Sequence, residues 1–296
     1  MPPESPPLRT QIAPADFLAL AAIAMIWGFN NLLAKLAVDA IPPLMTAALR
    51  FAIVLVALSP FLRAPKTGWG GLLRVAVLTG PLHFGLQYTG LAMAHDLSPM
   101  VIAMQLWIPA SVGFAAVWLK ERAGPWRLAG VGAAFAGVAA MALDPAVFSQ
   151  FGALALVAVA AGCYGAGAVL VRGAPALHPL TFQAWIAALA FPVLLTASLA
   201  FEHGQIAAMQ RASWLIWASI AFAAVVSSIG ANALMFRLVQ RYEVSRTTPF
   251  LFVSPLVGVG LGVAVLGDPL TWQFFLGAAL TLAGVAMVAL AERRGR

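Results

Sequence analysis

Apolar runs of about twenty residues recur along this chain of 296 residues, separated by short clusters of Pro, Gly, Asp, His, Lys and Arg. Each run is long enough to cross roughly 30 Å of hydrocarbon as a helix. The pattern predicts spans over 17–38, 44–62, 72–94, 98–119, 126–143, 152–172, 179–201, 213–237, 243–267 and 271–291. The runs are continuously apolar and rich in Ala, Leu and Val, so helices are expected in place of a barrel of alternating ten-residue strands. Ten crossings make the predicted fold class an all-α polytopic membrane protein.

Composition closes off the soluble alternative. Hydrophobic residues make up 62% of the chain and charged residues 9%, with a mean hydropathy of +0.93, against roughly 45–50% apolar residues in soluble domains. Met1 to Pro14 is proline-rich, carries one Arg and leads into a span without a small-residue cleavage site, so it is expected to be a retained tail and not a signal peptide. The single cysteine, Cys163, excludes an intramolecular disulfide framework and a multi-cysteine metal site.

The net charge of +7 changes meaning once its placement is considered. With ten spans both termini share one side, which receives Arg9, Arg63, Lys66, Arg74, Lys120, Arg122, Arg127, Arg172, Arg237, Arg241, Arg246, Arg293, Arg294 and Arg296. Only Lys35, Arg50 and Arg211 fall elsewhere, while Asp39, Asp96, Asp144, Glu202 and Asp268 lie in the opposite connections. The positive-inside bias predicts both termini in the cytoplasm. The excess charge therefore reports orientation in a lipid bilayer, and no nucleic-acid partner is expected.

The two halves repeat. Trp27-Gly28 with Lys35 corresponds to Tyr164-Gly165 with Arg172, Pro42 to Pro179, Pro109 and Glu121 to Pro255 and Asp268, and Gly130 and Gly137 to Gly277 and Gly284. Each half holds five spans, and an odd number makes the second copy enter from the opposite face. The sequence thus divides into a tail over 1–15, repeats over 16–145 and 150–291, and a tail over 292–296.

Trp27-Gly28-Phe29-Asn30 with Lys35, Arg50-Phe51 after Pro43, Leu119-Lys120-Glu121-Arg122, and Gly-x6-Gly in the last helix of each half resemble the drug/metabolite transporter superfamily. Within it the whole chain is similar to the ten-helix EamA-type carriers, and to their aromatic amino acid exporter branch. Tyr164 stands where the first copy has Trp27, and Gly267-Asp268 where Glu is usual. The resemblance implies two inverted five-helix repeats around a central cavity lined mainly by helices 1, 3, 4, 6, 8 and 9. It also implies a bacterial inner membrane, with monomer or homodimer left open.

Polar groups within spans are costly and so are the first candidates for solute binding. Trp27, Asn30, Asn31 and Ala34 share one face of helix 1, and Thr79, His83 and Gln87 share one face of helix 3. In helix 4, Met100, Met104, Trp107 and Ser111 form a stripe with Gln105 beside it; helix 8 offers Ser228, Asn232 and Phe236, and Tyr164 and Trp185 add aromatic groups from helices 6 and 7. Two readings stand for each: solute contact, or plain interhelical bonding and packing. Pro109 and Pro255 are expected to kink helices 4 and 9 and free the carbonyls of Gln105 and Leu251. Lys35 is expected to snorkel to the interface, Arg50 to begin helix 2 and pair with Asp39, and Trp69, Trp118, Trp126, Trp214 and Trp272 to form an interfacial belt.

All ten carboxylates fall in a tail, a connection or the first turn of a span, which argues against a small cation/proton multidrug antiporter. No Gly-rich Lys-Ser/Thr loop, HExxH or GxSxG turn is present, which disfavours an ATP-driven pump or a membrane enzyme. The expected activity is secondary export of amino acids, aromatic and other neutral ones, and related metabolites by alternating access, with no cofactor and no metal. Freed carbonyls and Trp107 would meet the ammonium; Asn30, His83 and Gln87 would meet the carboxylate. The alternatives are a carrier of phosphorylated sugars or nucleotide-sugars, or a membrane enzyme or receptor.

Overall fold

The computed structural model describes residues 13–65, 68–121, 124–171, 177–242 and 252–294. Among them every regular element is helical: α1 (Pro14–Ala40), α2 (Pro43–Leu58), α3 (Trp69–Val77), α4 (His83–Met93), α5 (Leu97–Met104), α6 (Trp107–Trp118), α7 (Pro125–Ala142), α8 (Pro145–Phe148), α9 (Phe151–Leu170), α10 (Pro179–Phe201), α11 (Gln205–Arg211), α12 (Trp214–Ala221), α13 (Asn232–Arg241), α14 (Val253–Leu261) and α15 (Trp272–Arg294). The π-helical Leu78–Leu82 joins α3 to α4, Phe222–Ala231 joins α12 to α13, and Gly262–Leu266 extends α14. Seven helices are long and apolar enough by themselves to cross a membrane, and Val253–Leu266 is a shorter apolar one. The rods Trp69–Met93 and Pro125–Ala142 occupy two further predicted spans. Positions 243–251 of the predicted ninth span, with Leu251, lie outside the described residues, as do Arg172, Arg246, Arg122 and Lys66.

Proline sets many of the starts. Pro14, Pro43, Pro125, Pro145 and Pro179 each open a helix, where the missing N–H removes nothing and φ is already helical. Other orphan N–H groups are met from neighbouring rods at the end of the bundle opposite Pro14, here called the distal end. Glu202 accepts from the backbone N–H of Leu44 at 2.7 Å and Met45 at 3.1 Å. Gln150 Oε1 accepts from His95 and Asp96 at 2.8 and 3.2 Å, and the Asp144 carboxylate accepts from Ala146 N and from the Thr271 hydroxyl. Glu202→Ala leaves two part-buried donors of α2 without their acceptor. The variant is expected to lose about 1–2 kcal/mol, read as a drop of a few degrees in the thermal midpoint of detergent-solubilised protein.

The glycines that repeat at an offset of 147 turn out to face one another. A Cβ on Gly130 would lie 2.7 Å from the Gly284 carbonyl, and one on Gly284 would lie 2.5 Å from that of Gly130. Likewise a Cβ on Gly137 would lie 2.5 Å from the Gly277 carbonyl, and the reverse distance is 2.6 Å. Thus α7 and α15 pack antiparallel with their backbones in contact, as small residues permit in membranes. Exchanging the two halves carries the 130–284 contact onto 277–137. Ala134 and Thr281 are equivalent by the same offset, and the Thr281 hydroxyl lies 3.4 Å from the Ala134 carbonyl.

Candidate substrate-binding site

The aromatic-glycine dipeptides build the centre. A Cβ on Gly28 of α1 would lie 2.8 Å from the Ser254 carbonyl of α14, and one on Gly165 of α9 would lie 2.6 Å from the Trp107 carbonyl of α6. Each glycine therefore lets one repeat's first helix lie against the proline-bearing helix of the other repeat. The neighbouring ring is placed by that approach. Tyr164 meets Trp107 edge-on with ring centroids 5.4 Å apart, and on its other side meets His83 at 4.9 Å. His83 packs on Phe84 at 4.6 Å, and Phe84 continues to Tyr88 at 6.0 Å. Three predicted site residues on three rods, His83, Trp107 and Tyr164, thus form one aromatic lane.

His83 is buried, and its Nδ1 lies 2.9 Å from the Ala160 carbonyl. A carbonyl only accepts, so this nitrogen carries the proton and Nε2 is left as an acceptor. Beside the lane a cavity of about 10 Å³ is lined by Asn31, Gln87, Met100, Val101, Met104 and Val157 among others, space for about one water. That cavity is too small for an amino acid. Asn30 sits next to this group in sequence, and its Oδ1 is buried without a hydrogen-bond partner among the described residues, an acceptor suited to an ammonium.

Other candidates lie apart. Trp27 packs against Leu20, Ile23 and Leu238. Asn232 and Phe236 of α13 are exposed. Trp185 lies against Trp69 with centroids 4.9 Å apart and donates to the Arg63 carbonyl, well away from the lane. The fourth span is broken at Gln105 and Leu106, but the expected free carbonyl is taken: Ile108 N donates to Gln105 O at 3.2 Å. The chain tightens by one residue there, which removes the orphan that Pro109 would create. The side-chain amide of Gln105 reaches back to the Val101 carbonyl at 3.4 Å. Pro255 lies in the first turn of α14, and the carbonyl it was expected to free belongs to Leu251.

The basic residues differ most from expectation. Lys35 does not snorkel: it is buried, and its Nζ lies 2.5 Å from Asp39, four residues on and in the last turn of α1. Asp39 is therefore not the partner of Arg50. Nor does Arg50 begin helix 2, which starts seven residues earlier at Pro43. About 10 Å down that helix, the Arg50 guanidinium is 5% exposed and enters the space between α4 and the π segment Phe222–Ala231. Its Nε and Nη2 donate to Ser228 Oγ at 3.1 and 2.8 Å, and Nη1 donates to the Tyr88 hydroxyl at 2.8 Å. The Phe84 ring lies beneath it, 4.6 Å from Cζ to centroid. Ser228 can accept twice because its own proton goes to the Ala223 carbonyl at 2.9 Å, five residues back as a π turn allows.

Residues 14–143 and 151–290 each match the profile of the EamA-like transporter family. A "Probable amino-acid metabolite efflux pump" of Salmonella typhimurium is 25% identical over 280 residues, covering 91% of this chain and 92% of its own. The protein of the same description from Escherichia coli is 26% identical over 282 residues, with 91% and 93% covered. A solved crystal structure is similar with a TM-score of 0.62 and 19% identity, over 95% of this chain and 97% of that one, and it shares the fold.

Proposed function

Because the chain belongs to the EamA-like transporter family, whose members are carriers and not enzymes, we propose that it exports amino acids, aromatic and other neutral ones, with related metabolites. The site is the lane of His83, Tyr164 and Trp107 with the adjoining Asn30, Asn31, Gln87 and Met104. The observation that carries this reading is the meeting of His83 and Trp107 from the first half with Tyr164 from the second, with Asn31, Gln87 and Met104 lining a small cavity in the same bundle. Aromatic faces take a planar side chain or an ammonium, and methionines tolerate several shapes. The proposal places the chain in the inner membrane with both tails, 1–15 and 292–296, in the cytoplasm, as the basic residues suggest. The repeats 16–145 and 150–291 rock about the site so that it opens to one side at a time.

Counterflow in proteoliposomes against amino acids, quaternary amines and sugar phosphates tests this, with and without a pH gradient. Exchange of labelled L-phenylalanine is expected; a response confined to sugar phosphates overturns the reading. His83→Ala and Tyr164→Ala are each expected to slow that exchange about 3- to 10-fold, the worth of one lost aromatic contact. Trp126→Ala, exposed at the start of α7, is expected to leave it unchanged.

A further inference from the structure

We propose that Arg50 is the receptor for the carboxylate of the transported solute, and that the Ser228 and Tyr88 hydroxyls hold its donors in the closed arrangement. This rests on the amino-acid reading above.

A cation taken out of water needs a counter-charge or a full set of hydrogen bonds. Arg50 has neither. Among the described residues no carboxylate lies within ion-pair distance of it, and the nearest in sequence, Asp39, is neutralised by Lys35. Three of its five N–H groups donate, all to neutral hydroxyls, and the Phe84 face supplies the rest of the stabilisation. No described residue balances its positive charge.

The arrangement of those donors points to what would neutralise it. Nε and Nη2 form the side-on fork of the guanidinium, and both converge on the single Ser228 oxygen. The same two parallel N–H bonds match the two oxygens of a carboxylate, and charge-assisted bonds of that kind are roughly twice as strong as bonds to neutral groups. Ser228 belongs to the second half of the chain, whereas Arg50 and Tyr88 belong to the first. Any rocking of one half against the other parts the fork from Ser228 and frees it.

The fork also has an approach. Phe84 beneath Arg50 is the inner end of the lane that runs through His83 and Tyr164 to Trp107, and Tyr164 within it is 37% exposed. An aromatic or apolar side chain lies along these rings while the carboxylate reaches Arg50. The charge count selects among anions. Arg50 matches one carboxylate and leaves the solute's ammonium to the Asn30 Oδ1 and the aromatic faces, whereas a phosphate dianion needs a second basic partner and Lys35 is already paired with Asp39.

The experiment is competition against labelled L-phenylalanine counterflow in proteoliposomes of the full chain, using unlabelled L-phenylalanine and phenethylamine, which keeps the ring and the ammonium and lacks the carboxylate. Wild-type protein is expected to prefer L-phenylalanine on the order of 100-fold, and Arg50→Gln to erase that preference by weakening L-phenylalanine while phenethylamine stays within about twofold. Arg50→Lys restores part of it. Equal weakening of both compounds by Arg50→Gln, or no change in either, overturns the proposal in favour of a packing role. Ser228→Ala keeps the cation and removes its neutral partner, so it is expected to tighten L-phenylalanine several-fold, where a clasp between the halves would only lose function. That sign decides the matter if Arg50→Gln does not elute as folded protein. Wild-type protein that exchanges neither compound overturns the amino-acid reading and the receptor role together; a wild type that exchanges with Arg50 variants unaltered overturns the receptor role alone.

Discussion

Gly137→Leu is expected to abolish recovery of folded protein, and Gly137→Ala to lower its thermal midpoint by several degrees. Both Cβ atoms would enter the seam between α7 and α15, where a Cβ at this position comes within 2.5 Å of the Gly277 carbonyl and the Thr281 N–H nitrogen. Those neighbours are backbone, so no rotamer change relieves the clash and the helices must separate. Overpacking by even one methyl costs typically about 1–3 kcal/mol, and separation also forfeits the close backbone contacts that hold helices together where lipid offers no hydrophobic drive. Gly130, Gly277 and Gly284 are equivalent positions in the same seam and are expected to behave alike. Gly132 lies on the same helix with nothing within 4 Å of a Cβ, so Gly132→Ala is the internal control. Fluorescence-detected size exclusion after a heating series reads both, and a wild-type profile for Gly137→Leu would show that the seam is not where the halves are held.

The all-helical, membrane-spanning character was legible because a backbone in hydrocarbon must satisfy its hydrogen bonds within the segment, which forces long uninterrupted apolar runs. The glycine repeat was legible as a repeat, but its partner helix was not: an offset of 147 says that two positions are equivalent, and only the antiparallel packing of α7 on α15 says that they touch. The π segments Leu78–Leu82, Phe222–Ala231 and Gly262–Leu266 carry no signal in the hydrophobic pattern, since one extra residue per turn over so short a stretch leaves the apolar run unbroken. One of them aims Ser228 at Arg50.

Within the site, residues that repeat between halves or share a helix face were recoverable, and His83, Trp107 and Tyr164 do converge. Arg50 was assigned to a helix start and to Asp39, and both errors have sequence signals that could have corrected them. Pro43 marks the start of α2 seven residues earlier, and Lys35 with Asp39 is an i, i+4 pair on one helix. The Ser228 and Tyr88 hydroxyls that hold Arg50 could not be inferred from spacing, because they arrive from two other rods.

Asp268→Ala is expected to unfasten the distal end and, with it, the transport cycle. Asp268 is 4% exposed and follows Gly267, whose φ of 77° turns the chain at the end of α14. Its carboxylate accepts from the Ser98 N–H at 2.7 Å and the Ser98 hydroxyl at 2.5 Å. This ties the end of α14, in the second half, to the first turn of α5, in the first half, and satisfies an orphan donor there. Gly262 leaves room for the contact, since a Cβ there would lie 2.7 Å from the Ser98 hydroxyl. Each hydrogen bond to a charged acceptor is worth about 1.5–3 kcal/mol, so losing two shifts the balance between distally closed and distally open forms by roughly 100-fold or more. A carrier biased that far toward one side completes few cycles, and L-phenylalanine counterflow is expected to fall by a comparable factor. Asp268→Asn keeps one oxygen able to accept from both Ser98 donors but without the charge, and is expected to fall between. The conformational cause is checked with a cysteine introduced at Met100, a buried cavity-lining position, in a Cys163→Ala background. In the proposed orientation, with the tails cytoplasmic and the distal end outward, a membrane-impermeant maleimide added to spheroplasts is expected to label it on the order of 100-fold faster when Asp268 is Ala. Unchanged labelling with lost transport would mean that Asp268 serves the folding of α5 and not the closure of the distal end.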